Sequence, residues 1–229
     1  MNVLISGADR GIGFALCQKF LDNGHTVFAG RYLKDWPQLD ELKEKYIDKL
    51  YLSDLDVSDK ETIIKTREFI ETITDRLDLL ISNAGISGNS DSDEDMIRTF
   101  EVNTLGLRFL SDEFVPLLSK GKKRICVISS EAGCISLAHR NDSFAYCMSK
   151  TALNMETKIM FNRLRPEGFT FRLYHPGWVK TYMDGGVKSE EGNFEAEDTA
   201  KMAYEQFTKD MKNEDLLVMR DIKNEYWPF

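Results

Sequence analysis

The first thirty or so residues of the chain limit its possible folds more than any other stretch. A short apolar run, Val3–Leu4–Ile5, stops at Ser6–Gly7 and leads into an apolar segment with helical spacing that ends at Asn23–Gly24. A second apolar run, residues 25–29, begins immediately afterwards. Strand, glycine turn, helix and strand in this order predict a βαβ unit, and the crossover in such units is almost always right-handed.

The same alternation continues along the rest of the chain. Further strands are predicted at 50–53, 77–81, 124–128, 169–173 and 216–219, and helices at 37–46, 58–74 (with Ser58 as N-cap), 94–118, 143–163 and 196–209. Neither an internal repeat nor a linker interrupts the pattern, so we expect one domain over residues 1–229. Apolar strands that alternate with helices predict a three-layer, Rossmann-like α/β fold: a doubly wound sheet of about seven parallel strands with helices on both faces. Ligands of such sheets bind beyond the carboxyl ends of the strands.

Composition excludes several classes of function. The net charge of −8 argues against nucleic acid or an anionic membrane as a partner. Four cysteines without CxxC spacing and only three histidines argue against a metal site and against a disulfide framework. The N-terminus lacks a signal-peptide pattern, and no apolar run reaches the ~20 residues of a membrane span. We therefore expect a cytoplasmic protein.

Glycines at positions 7, 11 and 13 lie between the first strand and the first helix. Such a turn lets a ligand approach the backbone, and the helix N-terminus favours a pyrophosphate. The spacing is GxxxGxG rather than the GxGxxG of the usual dinucleotide fingerprint. A tight turn without a ligand is the alternative interpretation.

Tyr146 and Lys150 lie four residues apart in a predicted helix and therefore share one face. A phenol beside an ammonium is an acid whose anion is stabilised, and it can exchange a proton with a carbonyl or alcohol oxygen. A solvated helix face would show the same spacing, so the spacing alone does not distinguish a proton-transfer pair from ordinary surface residues.

Six segments together resemble one family. They are Ser6–Gly7–Ala8–Asp9–Arg10–Gly11–Ile12–Gly13 (TGxxxGIG), Ser82–Asn83–Ala84–Gly85 (NNAG, with Ser first), Asn103, Ser129–Ser130, Tyr146 with Lys150 (YxxxK) and Pro176–Gly177 with Thr181 (PGxxxT). In this order, each at a predicted strand end or helix, they resemble the short-chain dehydrogenases/reductases. Residues 149–155, 175–181 and 224–229 are similar to the sniffer-type carbonyl reductases and C-factor-like members of that family.

The resemblance implies four catalytic residues. Tyr146 is expected to be the general acid/base, and Lys150 to supply positive charge and hold the nicotinamide ribose. Ser130 is expected to bind the substrate oxygen, with Ser129 as the alternative serine, and Asn103 to bend its helix and hold a water of a proton relay. Residues 138–142 lengthen the segment between Ser130 and Tyr146 and are expected to form a lip beside the substrate.

The residues that follow the second strand bear on the choice of cofactor. NAD enzymes carry a carboxylate there, whereas this chain has Gly30–Arg31, and Arg10 could face the same phosphate. Asp9 opposes this interpretation, because a carboxylate repels a 2′-phosphate. NADP(H) is favoured over NAD(H). The expected cofactor contacts are Gly7, Asp9, Arg10, Gly11, Ile12, Gly13, Arg31, Asp56, Val57, Asn83, Ala84, Gly85, Tyr146, Lys150, Pro176, Gly177, Val179 and Thr181.

Several residues have competing interpretations. His139 and His175 are interpreted as loop and turn residues rather than acid/base groups, and the acidic run 91–95 as a helix start and solvated surface rather than a metal site. The loop 180–195 is expected to cover the substrate, and Tyr182 and Met183 either line the site or merely pack in the loop.

The sequence thus predicts an NADP(H)-dependent carbonyl reductase or alcohol dehydrogenase acting on a small carbonyl or alcohol. A nucleotide-binding signalling or regulatory protein is the alternative. An epimerase or dehydratase of the same fold is less favoured, because those enzymes generally carry TGxxGxxG and longer chains. The resemblance implies a homodimer, with a tetramer as the alternative.

Overall fold

The computed structural model describes residues 1–88, 90, 92–183 and 186–229, and its strands form one sheet. In chain order the strands are β1 (Asn2–Ser6), β2 (Thr26–Arg31), β3 (Leu50–Asp54), β4 (Leu79–Ser82), β5 (Arg124–Ile128), β6 (Thr170–His175), β7 (Met219–Asp221) and β8 (Tyr226–Trp227). Their order across the sheet is β3-β2-β1-β4-β5-β6-β7-β8, in which β8 alone of these strands is antiparallel to its neighbour. The order reverses between β1 and β4, where α/β proteins bind their ligands.

The helices of the described residues flank this sheet. They are α1 (Gly11–Asp22), α2 (Gln38–Lys45), α3 (Lys60–Glu71), α4 (Asp93–Phe100), α5 (Gly106–Leu118), α6 (Phe144–Leu164) and α7 (Ala196–Thr208). A π-helical turn, Glu101–Leu105, joins α4 to α5. The long helical segment is as predicted, and its π-helical turn contains Asn103, the residue at which the resemblance implied a bend.

The apolar core lies in two layers, one on each face of the sheet. Val3 and Ile5 of β1 pack in a buried cluster with α1, α2 and α7, whereas Leu4 packs in a second cluster with α3, α5 and α6. Successive side chains of a strand point to opposite faces, so a strand covered on both sides is apolar throughout. The predicted three-layer α/β sheet, with seven parallel strands, is confirmed.

Three local predictions were wrong. Asp59, not Ser58, caps α3, because its carboxylate accepts the Glu61 N–H at 2.9 Å while the Ser58 hydroxyl donates to Asp56. The seventh strand begins at Met219, where the predicted one ends. The chain then turns at Asn224, with a φ of 65°, and returns as β8, which the sequence analysis did not predict.

Two of the sequence interpretations concern residues that the structure describes only in part. Asp91 of the acidic run and Gly185 of the loop 180–195 lie outside the described residues. The rest of the acidic run starts α4: the Ser92 hydroxyl accepts the Asp95 N–H at 3.3 Å, and acidic residues occupy the first turn. Carboxylates there interact favourably with the helix dipole.

Candidate active site

A cavity of about 260 Å³ opens at the point where the strand order reverses. Its wall includes most of the residues that the sequence predicted to contact a cofactor. These are Gly7, Asp9, Arg10, Ile12, Gly13, Asp56, Val57, Asn83, Ala84, Gly85, Tyr146, Lys150, Pro176 and Thr181. Gly11, Arg31, Gly177 and Val179, and the predicted catalytic residues Asn103 and Ser130, are not part of this wall.

The glycine loop is packed so tightly that it leaves no room for side chains. A Cβ on Gly13 would lie 2.0 Å from the Gly7 carbonyl oxygen, and one on Gly7, whose φ is +62°, would lie 2.7 Å from the Ala84 Cα. The Asn83 amide donates to the Gly7 carbonyl oxygen at 2.8 Å and thereby fixes the loop to the end of β4. The glycines are thus required by the loop itself, whether or not a ligand binds.

The N-terminus of α1 favours an anionic ligand. Its N-cap residue is Arg10, whose side chain cannot accept a hydrogen bond, and the first turn has no acidic residue. No side chain of the described residues caps these positions, so the first N–H groups of the helix and the positive end of its dipole can interact with a ligand. A pyrophosphate satisfies such groups. The residues present therefore fit a dinucleotide.

The two arginines that favoured NADP(H) have different surroundings. The Arg31 guanidinium pairs with Asp40 and Asp54, each at 3.0 Å. The Arg10 guanidinium lies on the wall of the cavity, 5.3 Å from the centre of the Trp36 ring. Of these two arginines, Arg10 therefore faces the space where a ligand would lie, and Arg31 does not.

Asp9, the residue that argued against NADP(H), is turned inward. It is 6% exposed, and its carboxylate accepts the Leu33 N–H at 3.0 Å, which ties the glycine loop to the segment after β2. Burial raises the pKa of the Asp9 carboxyl, against the opposing effect of the backbone amides of Tyr32 and Leu33 and of the Arg10 charge. The hydrogen bond from the Leu33 amide thus accounts for a carboxylate at position 9.

Asp56 is held from two sides at the end of the cavity near β3. Its carboxylate accepts the Ser58 N–H at 2.9 Å and lies 3.3 Å from an Arg98 nitrogen. Burial raises its pKa, but the Ser58 and Arg98 hydrogen bonds outweigh that effect, and the net pKa is lowered. Asp56 is therefore a fixed anion on the cavity wall.

Tyr146 and Lys150 lie on the cavity wall in the first two turns of α6. The Lys150 Nζ is 5.7 Å from the centre of the Tyr146 ring and donates to the Ile128 carbonyl oxygen at 3.2 Å. Lys150 is 3% exposed, and burial lowers its pKa to about 8. Burial also raises the pKa of Tyr146 to about 12, although its hydrogen bond with Ser130 acts in the opposite direction. At neutral pH the pair is a phenol and an ammonium.

Ser130 lies beside Tyr146 in a 3₁₀ turn that follows β5. Its hydroxyl accepts the Ala132 N–H at 3.1 Å and donates to the Glu131 carboxylate at 2.5 Å. Arg140, in the predicted lip, pairs with the other oxygen of Glu131. Burial raises the pKa of Glu131, but Ser130 and Arg140 outweigh it and the net pKa is lowered. The carboxylate of Glu131 therefore decides where the Ser130 proton points.

Asn103 lies in the π-helical turn and connects two parts of the site. Its side-chain oxygen accepts the Ile86 N–H and its nitrogen donates to the Ile86 carbonyl oxygen, both at 2.8 Å. The same nitrogen donates to the Ser149 hydroxyl at 3.0 Å. Asn103 thus fixes the segment after β4 to α6, next to Lys150.

The alternative candidates have structural roles. The Ser129 hydroxyl is buried and donates to the Asn154 side chain at 2.5 Å, which leaves Ser130 as the serine beside Tyr146. His175 is buried, accepts the Glu131 N–H at 3.3 Å and packs against Trp227 with the ring centres 4.9 Å apart. Burial lowers its pKa, so it is neutral at neutral pH. Among the described residues, no group of three or more His, Cys, Asp or Glu could hold a metal ion.

Sequence reasoning missed Glu131, Arg98 and Trp36, and it placed Arg140 in the lip without predicting its ion pair with Glu131. Arg98 acts through contacts with Asp56 and Ser58, far from it in the sequence. Glu131 acts through the neighbouring Ser130 and through Arg140, and no sequence motif marks either contact. Trp36 lies in an irregular loop, where neither periodicity nor a motif marks it. Tyr182 and Met183, for which the sequence left open whether they line the site or pack in the loop, both lie on the cavity wall.

Comparison with known proteins identifies the family. The family model described as short chain dehydrogenase matches residues 1–192. The chain therefore belongs to the short-chain dehydrogenase/reductase family, and the resemblance predicted from its motifs is confirmed.

One relative and two solved structures show how similar this chain is to individual proteins. This chain is 42% identical to the C-signal of Myxococcus xanthus over 118 residues, which are 49% of this chain and 71% of the relative. An NADPH-bound carbonyl reductase from chicken fatty liver is similar in structure, with a TM-score of 0.83 and 26% identity over 100% of this chain and 98% of that chain. The carbonyl reductase Sniffer of D. melanogaster has a TM-score of 0.89 over 100% of this chain and 99% of that one, at 23% identity, and shows the fold alone. Within the described residues, no helix has both the length and the apolar character of a membrane span.

Proposed function

We propose that this chain is an NADP(H)-dependent oxidoreductase that reduces an aldehyde, ketone or quinone, or oxidises the matching alcohol. The observation that carries the proposal is the cavity at the carboxyl ends of the central strands, which joins a helix N-terminus without a side-chain cap to the half-buried Tyr146 and the buried Lys150. One half of this cavity suits a dinucleotide, and the other half offers a proton donor.

NADP(H) is proposed as the cofactor because of the charge beside the glycine loop. Arg10 faces the cavity, whereas the competing carboxylate of Asp9 is turned toward the Leu33 amide. A guanidinium can take a phosphate with two parallel hydrogen bonds. The similar carbonyl reductase from chicken fatty liver is NADPH-bound, which agrees with this choice. The remaining predicted cofactor contacts, including Gly11, Gly177 and Val179, stay part of the proposal.

In the proposed reaction the cofactor, held by the glycine loop, would supply the hydride that the substrate carbon accepts. Tyr146 donates its hydroxyl proton to the substrate oxygen, since its raised pKa keeps it a neutral phenol at neutral pH. Ser130 is proposed to turn its hydroxyl from Glu131 to the same oxygen, and Lys150 provides the positive charge that offsets the phenolate left after proton transfer. Asn103 is proposed to keep Lys150 in contact with a water of the proton relay.

The test is NADPH consumption with a panel of aldehydes, ketones and quinones. We expect steady turnover with at least one class, and Tyr146→Phe should bind NADPH as the wild type does and lose carbonyl reduction. Tyr51→Phe is the matched control, because the Tyr51 ring stacks on Phe28, outside the cavity. Near-wild-type turnover of Tyr146→Phe would refute the assignment of Tyr146.

The similarity to the C-signal supports a second candidate, a nucleotide-binding signalling or regulatory protein with little turnover. Under that hypothesis NADPH binds but is not consumed with any member of the panel. Binding without consumption therefore separates the two candidates.

A cytoplasmic homodimer of a single domain, residues 1–229, is part of the proposal. Apolar side chains on the outer faces of α4 and α6 support the dimer: Ile97, Met155 and Ile159 are about 60% exposed. Exposed apolar groups concentrated on two neighbouring helices are typical of an interface. Light scattering after size-exclusion chromatography measures the mass, and a monomer would contradict this part of the proposal.

A further inference from the structure

Three side chains meet at the rim of the cavity beside the glycine loop. The carbon of the Arg10 guanidinium lies 5.3 Å from the centre of the Trp36 ring and 5.7 Å from that of the Tyr182 ring. The two rings meet edge to face, with their centres 5.3 Å apart. We call Arg10, Trp36 and Tyr182 the arginine clamp. It joins the glycine loop, the loop after β2 and the loop after β6.

The clamp restricts a side chain that is otherwise flexible. An arginine whose face lies on aromatic rings is held by cation–π attraction and keeps its N–H groups available at the edge. The indole N–H of Trp36 donates to the Gln38 side chain at 3.0 Å, so the first ring is itself fixed to the start of α2. The guanidinium is thus pre-organised before any ligand arrives, and a ligand loses less binding free energy in ordering it.

Charge near the clamp favours an anionic ligand. Lys34 and Arg31 both pair with Asp54, so that carboxylate is compensated. Among the carboxylates that the structure describes, none forms an ion pair with Arg10. Asp9, next to it in sequence, points to the Leu33 amide.

We propose that Trp36 and Tyr182 are positioning residues that set the preference for a 2′-phosphorylated adenine nucleotide by holding Arg10. The inference rests on the proposed function, because it assumes that the cavity binds a dinucleotide. It assigns an unexpected role to Tyr182: a residue of the loop that is expected to cover the substrate determines selectivity at the adenine end of the cofactor.

The experiment measures binding of 2′,5′-ADP and 5′-AMP by titration calorimetry, so it does not depend on turnover. The wild-type chain should bind 2′,5′-ADP more tightly than 5′-AMP. Trp36→Leu and Tyr182→Leu should each weaken 2′,5′-ADP binding about fivefold, the usual size of a cation–π contribution, and leave 5′-AMP unchanged. Tyr182→Phe keeps the ring and should bind both as the wild type does.

Tyr226→Leu is the matched control. It removes a similar contact, since the Arg220 guanidinium of β7 lies 4.0 Å from the ring centre of Tyr226, an exposed residue of β8. Equal weakening of both nucleotides by the Leu variants, or no weakening of either, would overturn the inference. Should Trp36→Leu fail to fold by thermal melting, the comparison of Tyr182→Leu with Tyr182→Phe decides. If the wild type itself does not prefer 2′,5′-ADP, the proposed NADP(H) preference fails, which is a different result from a preference that survives both Leu variants.

Discussion

Burial of the Lys150 ammonium lowers the free energy of unfolding of the chain, and replacing Lys150 by methionine measures by how much. Burial lowers the pKa of Lys150 from its ordinary 10.5 to about 8 in the folded chain. Between these two values the unfolded chain binds more protons than the folded one, so the free energy of unfolding rises with pH. Below about pH 8 the cost is fully present, and the shift corresponds to roughly 3 kcal/mol.

We expect Lys150→Met to unfold less readily than the wild type near neutral pH. The variant removes the buried charge but also leaves the Ile128 carbonyl oxygen without the donor that now lies 3.2 Å away, a loss of about 1 kcal/mol. The net gain in unfolding free energy is therefore ~2 kcal/mol at about pH 7. At about pH 9.5 it should shrink by ~2 kcal/mol, because folded Lys150 is then mostly neutral.

Urea denaturation at the two pH values, at one protein concentration, gives both differences. Lys201→Met, an exposed position on α7, is the control and should show no such change with pH. A stability difference between Lys150→Met and the wild type that is the same at both pH values would refute the argument. Carbonyl reduction should be lost in this variant, so stability and activity are expected to change in opposite directions.

Two other substitutions test separate parts of the site. Gly13→Ala should lower the unfolding free energy by about 2 kcal/mol or more and weaken nucleotide binding, since its Cβ would lie 2.0 Å from the Gly7 carbonyl oxygen; an unchanged melting temperature would contradict this. Glu131→Gln removes a charge that raises the pKa of Tyr146 and leaves Arg140, which lowers it, unpaired. The pH dependence of alcohol oxidation should therefore shift to lower pH, and an unshifted profile would show that Glu131 does not act on Tyr146.

The features that the sequence predicted well are those set by local rules. Strand and helix positions follow from apolar periodicity, and Gly13 and Gly7 are required because the glycine loop packs against its own backbone and Ala84. The sheet order places the ends of β1 and β4 side by side, so residues that follow those strands meet at one cavity. These relations need no knowledge of distant side chains.

The features that the sequence analysis missed depend on which polar side chains pair with one another. Arg31 follows a strand whose end suggested a phosphate contact, yet Asp40 and Asp54 pair with it, and neither is adjacent to it in sequence. Glu131 has no motif of its own, and its importance comes from the Ser130 hydroxyl on one side and Arg140 on the other. A long polar side chain can pair with any of several partners at similar energy, and a single sequence does not show which pair forms.

Burial shifts the pKa values of both Tyr146 and Lys150, and these two shifts favour one direction of the proposed reaction. Burial keeps Tyr146 protonated, with a pKa of about 12, and weakens the hold of Lys150 on its proton, with a pKa of about 8. At neutral pH the site therefore contains a proton donor and a cation, the state required to protonate a substrate oxygen in carbonyl reduction. Alcohol oxidation needs the phenolate of Tyr146, which burial opposes until the pH rises or a ligand changes the surroundings. Reduction should thus proceed at neutral pH and decline above about pH 8, as Lys150 loses its charge, while oxidation should increase with pH.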